Sequence, residues 1–217
     1  MKKTIILFFA LMLMAMPLAM AQSGGTIGDA IKEGVSKAIK KGIELAENRL
    51  LGLKNKINNN PKISDATKTA LSETIDIVVA GLAEFTAKAE AATTLEELRQ
   101  IKQETIQYLK DNKYAIKENL KTAAAEIGTQ TKEKAEELKT MVDQTIKVLK
   151  VTCQKEISTI TKIEGELGQL DTEINLLTQA INAKDPAAIK QEVKKINNIS
   201  TQLVQDAKYL QQACIAK

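Results

Sequence analysis

The chain has 217 residues, a formal net charge of +4 and no histidine or tryptophan. The lack of histidine excludes Ser–His and Cys–His nucleophile pairs, histidine-containing zinc sites and the usual proton shuttle at neutral pH. Aromatic residues make up only 3% of the chain and lysines alternate with glutamates, so the sequence lacks the basic, aromatic-rich surface of nucleic-acid binders. Sparse glycine and proline are typical of long helices.

The first 21 residues have the features of a secretory signal peptide. A basic start, Met1-Lys2-Lys3, precedes an apolar run from Ile5 to Met16. Ala19-Met20-Ala21 fits the small-residue cleavage pattern, which predicts cleavage near Ala21-Gln22. An uncleaved anchor is the alternative, but the run is shorter than the roughly 20 residues of a spanning helix and Pro17 interrupts it. We therefore expect a secreted or extracytoplasmic protein, in the periplasm, at the cell surface or in the medium.

After a flexible lead over residues 22–26, residues 27–112 are predicted to fold as a three-helix unit. The first helix has apolar residues in steps of three and four, a pattern that ends before Pro61: Ile27, Ile31, Val35, Ile39, Ile43, Ala46, Leu50, Leu53 and Ile57. The second carries Leu71, Ile75, Val78, Leu82, Phe85 and Ala89 on one face. Thr94-x-x-Glu97 is a capping box that starts the third. Short connections favour antiparallel neighbours.

Three stretches of this region form one further pattern: Leu50-Leu51-Gly52-Leu53-Lys54-Asn55-Lys56-Ile57, Asn59-Asn60-Pro61 and Ala91-Ala92-Thr93-Thr94-Leu95-Glu96-Glu97-Leu98-Arg99. On these residues the region resembles helical units of uncharacterised secreted archaeal coiled-coil proteins. The resemblance implies a secreted helical protein. It implies no activity, cofactor or site residue.

Residues 113–217 are predicted to form a long helix and a C-terminal helix that pair as an antiparallel coiled-coil hairpin. We expect a break at Asp111-Asn112-Lys113, and then a helix that continues to about residue 182 with a kink at Gly128. Apolar residues at heptad spacing, interrupted only by Glu156, form one seam: Ile146, Leu149, Cys153, Ile160, Ile163, Leu167, Leu170, Ile174, Leu177 and Ile181. Asp185 as N-cap and Pro186 at the first helical position begin the last helix.

The last helix carries a matching seam, and the two cysteines lie on the two seams. Its members are Ile189, Val193, Ile196, Ser200, Leu203, Ala207, Leu210 and Cys214. In an antiparallel pair, facing positions have a nearly constant sum of residue numbers, and Cys153 and Cys214 centre on 183.5, inside the predicted turn. We therefore predict a Cys153–Cys214 disulfide, which would stabilise the fold by roughly 4 kcal/mol. Two buried free thiols are the alternative.

The last helix covers only the seam beyond Cys153, so the seam on residues 116–152 needs another partner. That partner is either the three-helix unit or a second copy of the chain. Together with four apolar residues outside the seam, this predicts a secreted, non-enzymatic structural or interaction protein that binds another protein or itself: Val148, Val151, Ile157 and Leu176. No catalytic residue, metal ligand, cofactor or nucleic-acid partner is assigned.

A protein that binds or disrupts membrane surfaces is the alternative function. The first helix has lysines on its polar side, as a helix on an anionic membrane does: Lys32, Lys37, Lys40, Lys41, Lys54 and Lys56. Acidic residues dilute this charge, and no Trp or Phe anchors the helix. The apolar run Ile77–Ala83 is too short to span a bilayer, so a helix of a bundle is the preferred interpretation.

Asn198-Ile199-Ser200 is an N-glycosylation sequon. In the predicted register Asn198 points away from the partner helix, where a glycan would fit. Sequons also arise by chance, so an unmodified Asn198 is the alternative.

Overall fold

A computed structural model describes residues 26–215, and this part of the chain is helical without any strand. Five α-helices follow one another: α1 (Thr26–Asn58), α2 (Asp65–Ala91), α3 (Leu95–Thr152), α4 (Ile157–Asn182) and α5 (Pro186–Ile215). A 3-10 turn, Gln154–Glu156, connects α3 to α4. The predicted all-α class is confirmed. The predicted signal peptide lies outside the described residues.

The described chain divides into two compact units. The N-terminal unit comprises residues 26–61 and 65–119, and the C-terminal unit comprises residues 62–64 and 120–215. Helix α3 therefore contributes its first part to one unit and its second part to the other. Each unit has its own apolar core.

The core of the N-terminal unit joins α1, α2 and the first part of α3. It consists of apolar residues at the predicted helical spacings: Ile39, Ile43, Ala46, Val78, Leu82, Ala89, Leu98 and Ile101. The predicted capping box begins α3, because the backbone amide of Glu97 donates to Thr94 Oγ1 at 3.2 Å and the Thr94 amide donates to the Glu97 carboxylate at 3.1 Å. These bonds satisfy amides that a helix start leaves unpaired.

Gly81 on α2 lies against the Tyr108 side chain of α3 within the N-terminal unit. A Cβ atom on Gly81 would lie 2.1 Å from the Tyr108 hydroxyl oxygen and 2.4 Å from its ring carbon Cζ. The Tyr108 hydroxyl donates to the carbonyl of Ile77 at 3.1 Å, and its ring packs on Phe85 with centroids 5.5 Å apart. The missing side chain of Gly81 makes room for this tyrosine.

In the C-terminal unit α4 returns along the second part of α3, and α5 returns along α4. Ion pairs mark the two antiparallel registers: Lys139 with Asp171 and Lys150 with Glu164 between α3 and α4, and Lys162 with Asp206 between α4 and α5. The shared core contains most of the predicted seam residues of α4 and α5 together with Ala180 and residues of α3: Ala135, Val142, Ile146, Ile160, Ile163, Leu167, Leu170, Ile174, Leu177, Ala180, Ile189, Ile196, Leu203 and Leu210. The predicted seam residues Ile181, Val193 and Ala207 are only partly buried against this core.

The predicted turn between α4 and α5 is confirmed. Lys184 has a φ of 48°, a left-handed conformation that ends α4. Asp185 Oδ1 accepts hydrogen bonds from the amides of Ala187 at 2.9 Å and Ala188 at 3.2 Å. Asp185 is thus the N-cap of α5, and Pro186 is its first helical residue.

The predicted break at Asp111-Asn112-Lys113 is wrong, because α3 continues through it. The side-chain amide of Asn112 donates to the Tyr108 carbonyl at 2.9 Å, and Gln107 donates to Asp111 at 2.7 Å. These polar side chains are therefore accommodated by bonds within the helix itself. None of the three residues is Gly or Pro, so their intrinsic cost in a helix is at most about 0.7 kcal/mol each.

The prediction of one helix to residue 182 is also wrong, because the chain reverses at Cys153. Cys153 has φ −131° and leads into the 3-10 turn, where Glu156, the one interruption of the heptad series, accepts a hydrogen bond from Thr159. The reversal packs α3 against α4 and α5 and buries Val142 and Ile146. Burial of each such side chain stabilises the fold by about 1.5–3 kcal/mol. A straight helix would leave these side chains without α4 and α5 to cover them.

Gly128 lies within the continuous helix α3, and the kink expected there stays a prediction. It is buried, and a Cβ atom there would lie 3.0 Å from Ile181 and 3.2 Å from Ile189. Gly128 therefore lets α3 approach the end of α4 and the start of α5 closely.

Candidate interaction surface

Four exposed aliphatic side chains lie at the end of α3 and the start of α4. Met141, Val148 and Val151 on α3 are 59%, 64% and 78% exposed, and Ile157 on α4 is 63% exposed. We call these four residues the outer apolar patch. Single exposed apolar residues are normal on protein surfaces, whereas a group of large ones marks a candidate contact site.

The three patch residues on α3 lie on the face of that helix turned away from the core. Val148 follows the buried Ile146 by two residues, and each residue advances about 100° around the helix, so the two side chains point to roughly opposite sides. Met141 precedes Val148 by seven residues, or about two turns, which places it on the same side. Val142 and Ile146 on the inner side of α3 are buried, whereas Met141, Val148 and Val151 form a second row of apolar residues on its outer side.

The two cysteines meet beside this patch. The Sγ atoms of Cys153 and Cys214 are 2.01 Å apart and the Cα atoms 5.7 Å apart. Cys153 follows the end of α3 and Cys214 lies in the last turn of α5, so the bond ties both chain segments together. The structure thus brings together the two cysteines that the seams predicted. It also fixes the backbone that carries Val151 and Ile157.

Charged residues border the patch. Lys147 pairs with Asp143 at 2.7 Å within α3, and Lys150 pairs with Glu164 across to α4. Lys155 is exposed in the 3-10 turn. An apolar centre with a charged rim is the arrangement found at protein interfaces.

Two clusters of charged side chains lie between α4 and α5. In the first, Lys162 Nζ is 2.7 Å from Asp206 and 3.7 Å from Glu166. Burial, followed by the neighbouring Asp206 carboxylate, raises the pKa of Glu166. The hydrogen bond from Lys162 lowers the pKa of Asp206. The Asp206 carboxylate in turn raises the pKa of Lys162.

The second cluster has the same composition with the lysine on the other helix. Lys195 Nζ lies 3.1 Å from Glu173 and 3.0 Å from Glu192. Pairing with the Glu173 carboxyl, then burial, raises the pKa of Glu192, whose residue is only 8% exposed. The same pairing lowers the pKa of Glu173. Neither cluster is predicted from the sequence, in which Glu166 and Glu173, seven residues apart beside the seam, look like ordinary solvated charges.

The basic side of α1 is occupied by ion pairs. Lys37 pairs with Glu33 at 2.7 Å on the same helix. Two other pairs reach α2, Lys40 with Glu90 at 3.0 Å and Lys54 with Asp76 at 2.6 Å. The apolar side of α1 is buried in the core of the N-terminal unit.

The apolar run Ile77–Ala83 is part of α2. Val78 and Leu82 are buried in the core of the N-terminal unit, and Ile77 is exposed. Among residues 26–215, no helix is long and apolar enough to cross a membrane.

Asn198 is exposed on α5. Its glycosylation stays a prediction. In the described chain, no three Cys, Asp or Glu side chains are grouped so as to hold a metal ion. Two open grooves on the N-terminal unit are lined mainly by lysine, glutamate and threonine side chains.

Comparison with known proteins gives no match to a protein-family model, to a curated protein or to a solved structure. The resemblance to secreted archaeal helical proteins therefore stays a prediction.

Proposed function

We propose that this chain is a secreted, non-enzymatic helical protein that binds another protein or a second copy of itself. We further propose that α4 and α5 form an antiparallel coiled-coil hairpin and that binding uses the outer apolar patch. One observation carries the proposal: Met141, Val148, Val151 and Ile157 stay exposed although the rest of the unit has an ordered apolar core.

The surface proposed for binding differs from the one that the sequence suggested. The seam on residues 116–152 was expected to pack on the three-helix unit or on a second copy of the chain, yet Val142 and Ile146 are buried in the core shared with α4 and α5. Val148, Val151 and Ile157, which lie outside the seam, are exposed. Leu176 is also exposed, at 38%.

Export is supported by the cysteine pair. Disulfides persist in oxidising compartments and are rare where thiols are kept reduced, and Cys153 and Cys214 lie at bonding distance. The signal-peptide pattern of residues 1–21 points the same way.

Membrane-surface binding is the weaker candidate. Lys37, Lys40 and Lys54 of α1 are engaged in ion pairs, and its residues Ile39, Ile43 and Ala46 lie in a protein core. Release of α1 would cost the burial of Ile39, Ile43 and Ala46. No leakage of anionic vesicles is therefore expected.

The test replaces two patch residues by charged ones, Val148→Glu with Val151→Glu. The matched control is Ile77→Glu, since Ile77 is 66% exposed on the other unit. We expect the patch variant, and not the control, to lose self-association in light scattering over a range of protein concentrations, or to lose a partner that cross-linking identifies. A wild-type protein that stays monomeric and retains no partner would contradict the proposal.

A further inference from the structure

The two charged clusters between α4 and α5 share the same arrangement of charged groups. Each contains two carboxyl groups and one lysine, so each carries an excess negative charge when both carboxyls are ionised. The lysine of one cluster, Lys162, is on α4, and that of the other, Lys195, is on α5. Each lysine bonds a carboxylate on the opposite helix, Asp206 and Glu173 respectively, and pairs with a carboxylate on its own helix.

In each cluster one carboxyl oxygen is buried without a hydrogen-bond partner. These atoms are Glu166 Oε2 and Glu192 Oε2. The Glu192 atom lies 3.0 Å from Lys195 Nζ but makes no hydrogen bond with it. The neighbouring carboxylates, Asp206 and Glu173, offer acceptors only. A buried acceptor beside another acceptor costs free energy, and a proton placed between them would convert the repulsion into a hydrogen bond.

Four lysines of α3, the helix packed against this hairpin, pair with carboxylates outside the two clusters: Lys139 with Asp171, Lys150 with Glu164, Lys147 with Asp143 and Lys132 with Glu136. Gln202 donates to Asp206 at 3.1 Å and is neutral. The extra charge is therefore removed most directly by protonation.

We propose that the α4–α5 hairpin is stabilised by acid: each cluster takes up one proton as the pH falls, and the two helices are then held more tightly. Glu166 and Glu192 receive the protons. Asp206 and Glu173 stay ionised and keep their bonds to the lysines. Most proteins instead lose stability on acidification, because their paired carboxylates must be protonated.

The direction of the pKa changes agrees with this behaviour. The pKa values of Glu166 and Glu192 are raised above 4.5 in the folded chain. Between the unfolded and the folded pKa, the folded state therefore binds more protons than the unfolded state. Their contribution to stability is then complete below about pH 4.5 and is lost as the pH rises through the raised folded pKa. The lowered pKa values of Asp206 and Glu173 keep these groups charged in the same window.

The test compares thermal unfolding of the oxidised protein with that of Glu166→Gln/Glu192→Gln. Glutamine imitates a protonated carboxyl and can donate to Asp206 or Glu173. At about pH 7.5 we expect a Tm higher by about 2–4 °C in the variant, the shift that a change of about 1 kcal/mol gives in a chain of this size. The difference should shrink as the pH is lowered and the carboxyl groups of wild-type Glu166 and Glu192 become protonated.

The control is Glu133→Gln/Glu137→Gln, which removes the same charge from exposed positions of the same unit. It should give a Tm difference that does not change with pH. A variant at Glu166 and Glu192 whose Tm difference is equally independent of pH, or that melts below wild type at about pH 7.5, would overturn the proposal. Carboxyl carbon chemical shifts of the unmodified protein give a separate check. Ordinary titration midpoints for Glu166 and Glu192 would also overturn it.

Discussion

The N-terminal and C-terminal units are both built from three helical segments around an apolar core, yet their chain reversals are secured differently. In the N-terminal unit, α3 starts with the Thr94–Glu97 capping box, which bonds three backbone amides. In the C-terminal unit, the reversal between α3 and α4 has no side-chain cap at either Cys153 or Glu156. There a covalent bond from Cys153 to α5 is available instead.

This difference shows two solutions to the same problem. A helix start leaves backbone amides without partners, and polar side chains usually supply them. The reversal between α3 and α4 lacks such side chains. There the Cys153–Cys214 cross-link limits the conformations of the unfolded chain and so raises the stability of the folded state. Three sets of substitutions test this contrast between a capped helix start and a cross-linked reversal.

Replacing both cysteines by serine should have the largest effect, and it should concern the C-terminal unit. The bond spans a sequence separation of 61 residues, and loss of a native disulfide typically costs about 2–5 kcal/mol. Thermal unfolding and hydrogen exchange should show weakened protection in α4 and α5, with little change in α1 and α2. Intact mass with and without reductant is the control, since two alkylatable thiols in untreated protein would contradict the bond itself.

Gly81→Ala should destabilise the N-terminal unit by about 1–3 kcal/mol, because its new methyl group would overlap the Tyr108 hydroxyl and ring. Gly34→Ala is the matched change in α1, where a Cβ atom meets nothing within 4 Å. It should stabilise the helix by up to about 1 kcal/mol. Chemical denaturation of both variants measures the two values. Equal effects would mean that Tyr108 moves aside without loss.

The caps should give the smallest effects. Thr94→Ala removes the acceptor at the start of α3, and Asp185→Ala removes the acceptor of two amides at the start of α5. Each should cost about 1 kcal/mol in denaturant unfolding. Gln191→Ala, at an exposed position of α5, serves as a control and should change stability little. If Thr94→Ala lowered the free energy of unfolding much more than the cysteine replacements do, the proposed contrast between the units would be reversed.

The sequence predicted the register of α4 and α5 because two local signals agreed. Heptad spacing defined one face on each helix, and Asp185-Pro186 located the turn between them. With the turn known, an antiparallel pairing leaves one register, in which Cys153 and Cys214 face each other. The same reasoning predicted the exposure of Val148, Val151 and Ile157, since they lie outside the seam.

The charged clusters were not predicted, because pairing between carboxyl groups depends on side-chain geometry across two helices. Glu166 and Glu173 look like ordinary solvated charges in sequence. Only their distances to Lys162 and Lys195 distinguish them from exposed residues such as Glu133.

The sequence by itself determined that the described chain is helical, which face of each helix is apolar and where the last turn lies. These properties follow from periodicity and capping, which act over a few residues. Only the tertiary structure decided that α3 passes through Asp111-Asn112-Lys113 and ends at Cys153. The physical reason is that a periodic seam specifies burial but not the partner that provides it, and folding back on α4 and α5 buries Val142 and Ile146 within one chain.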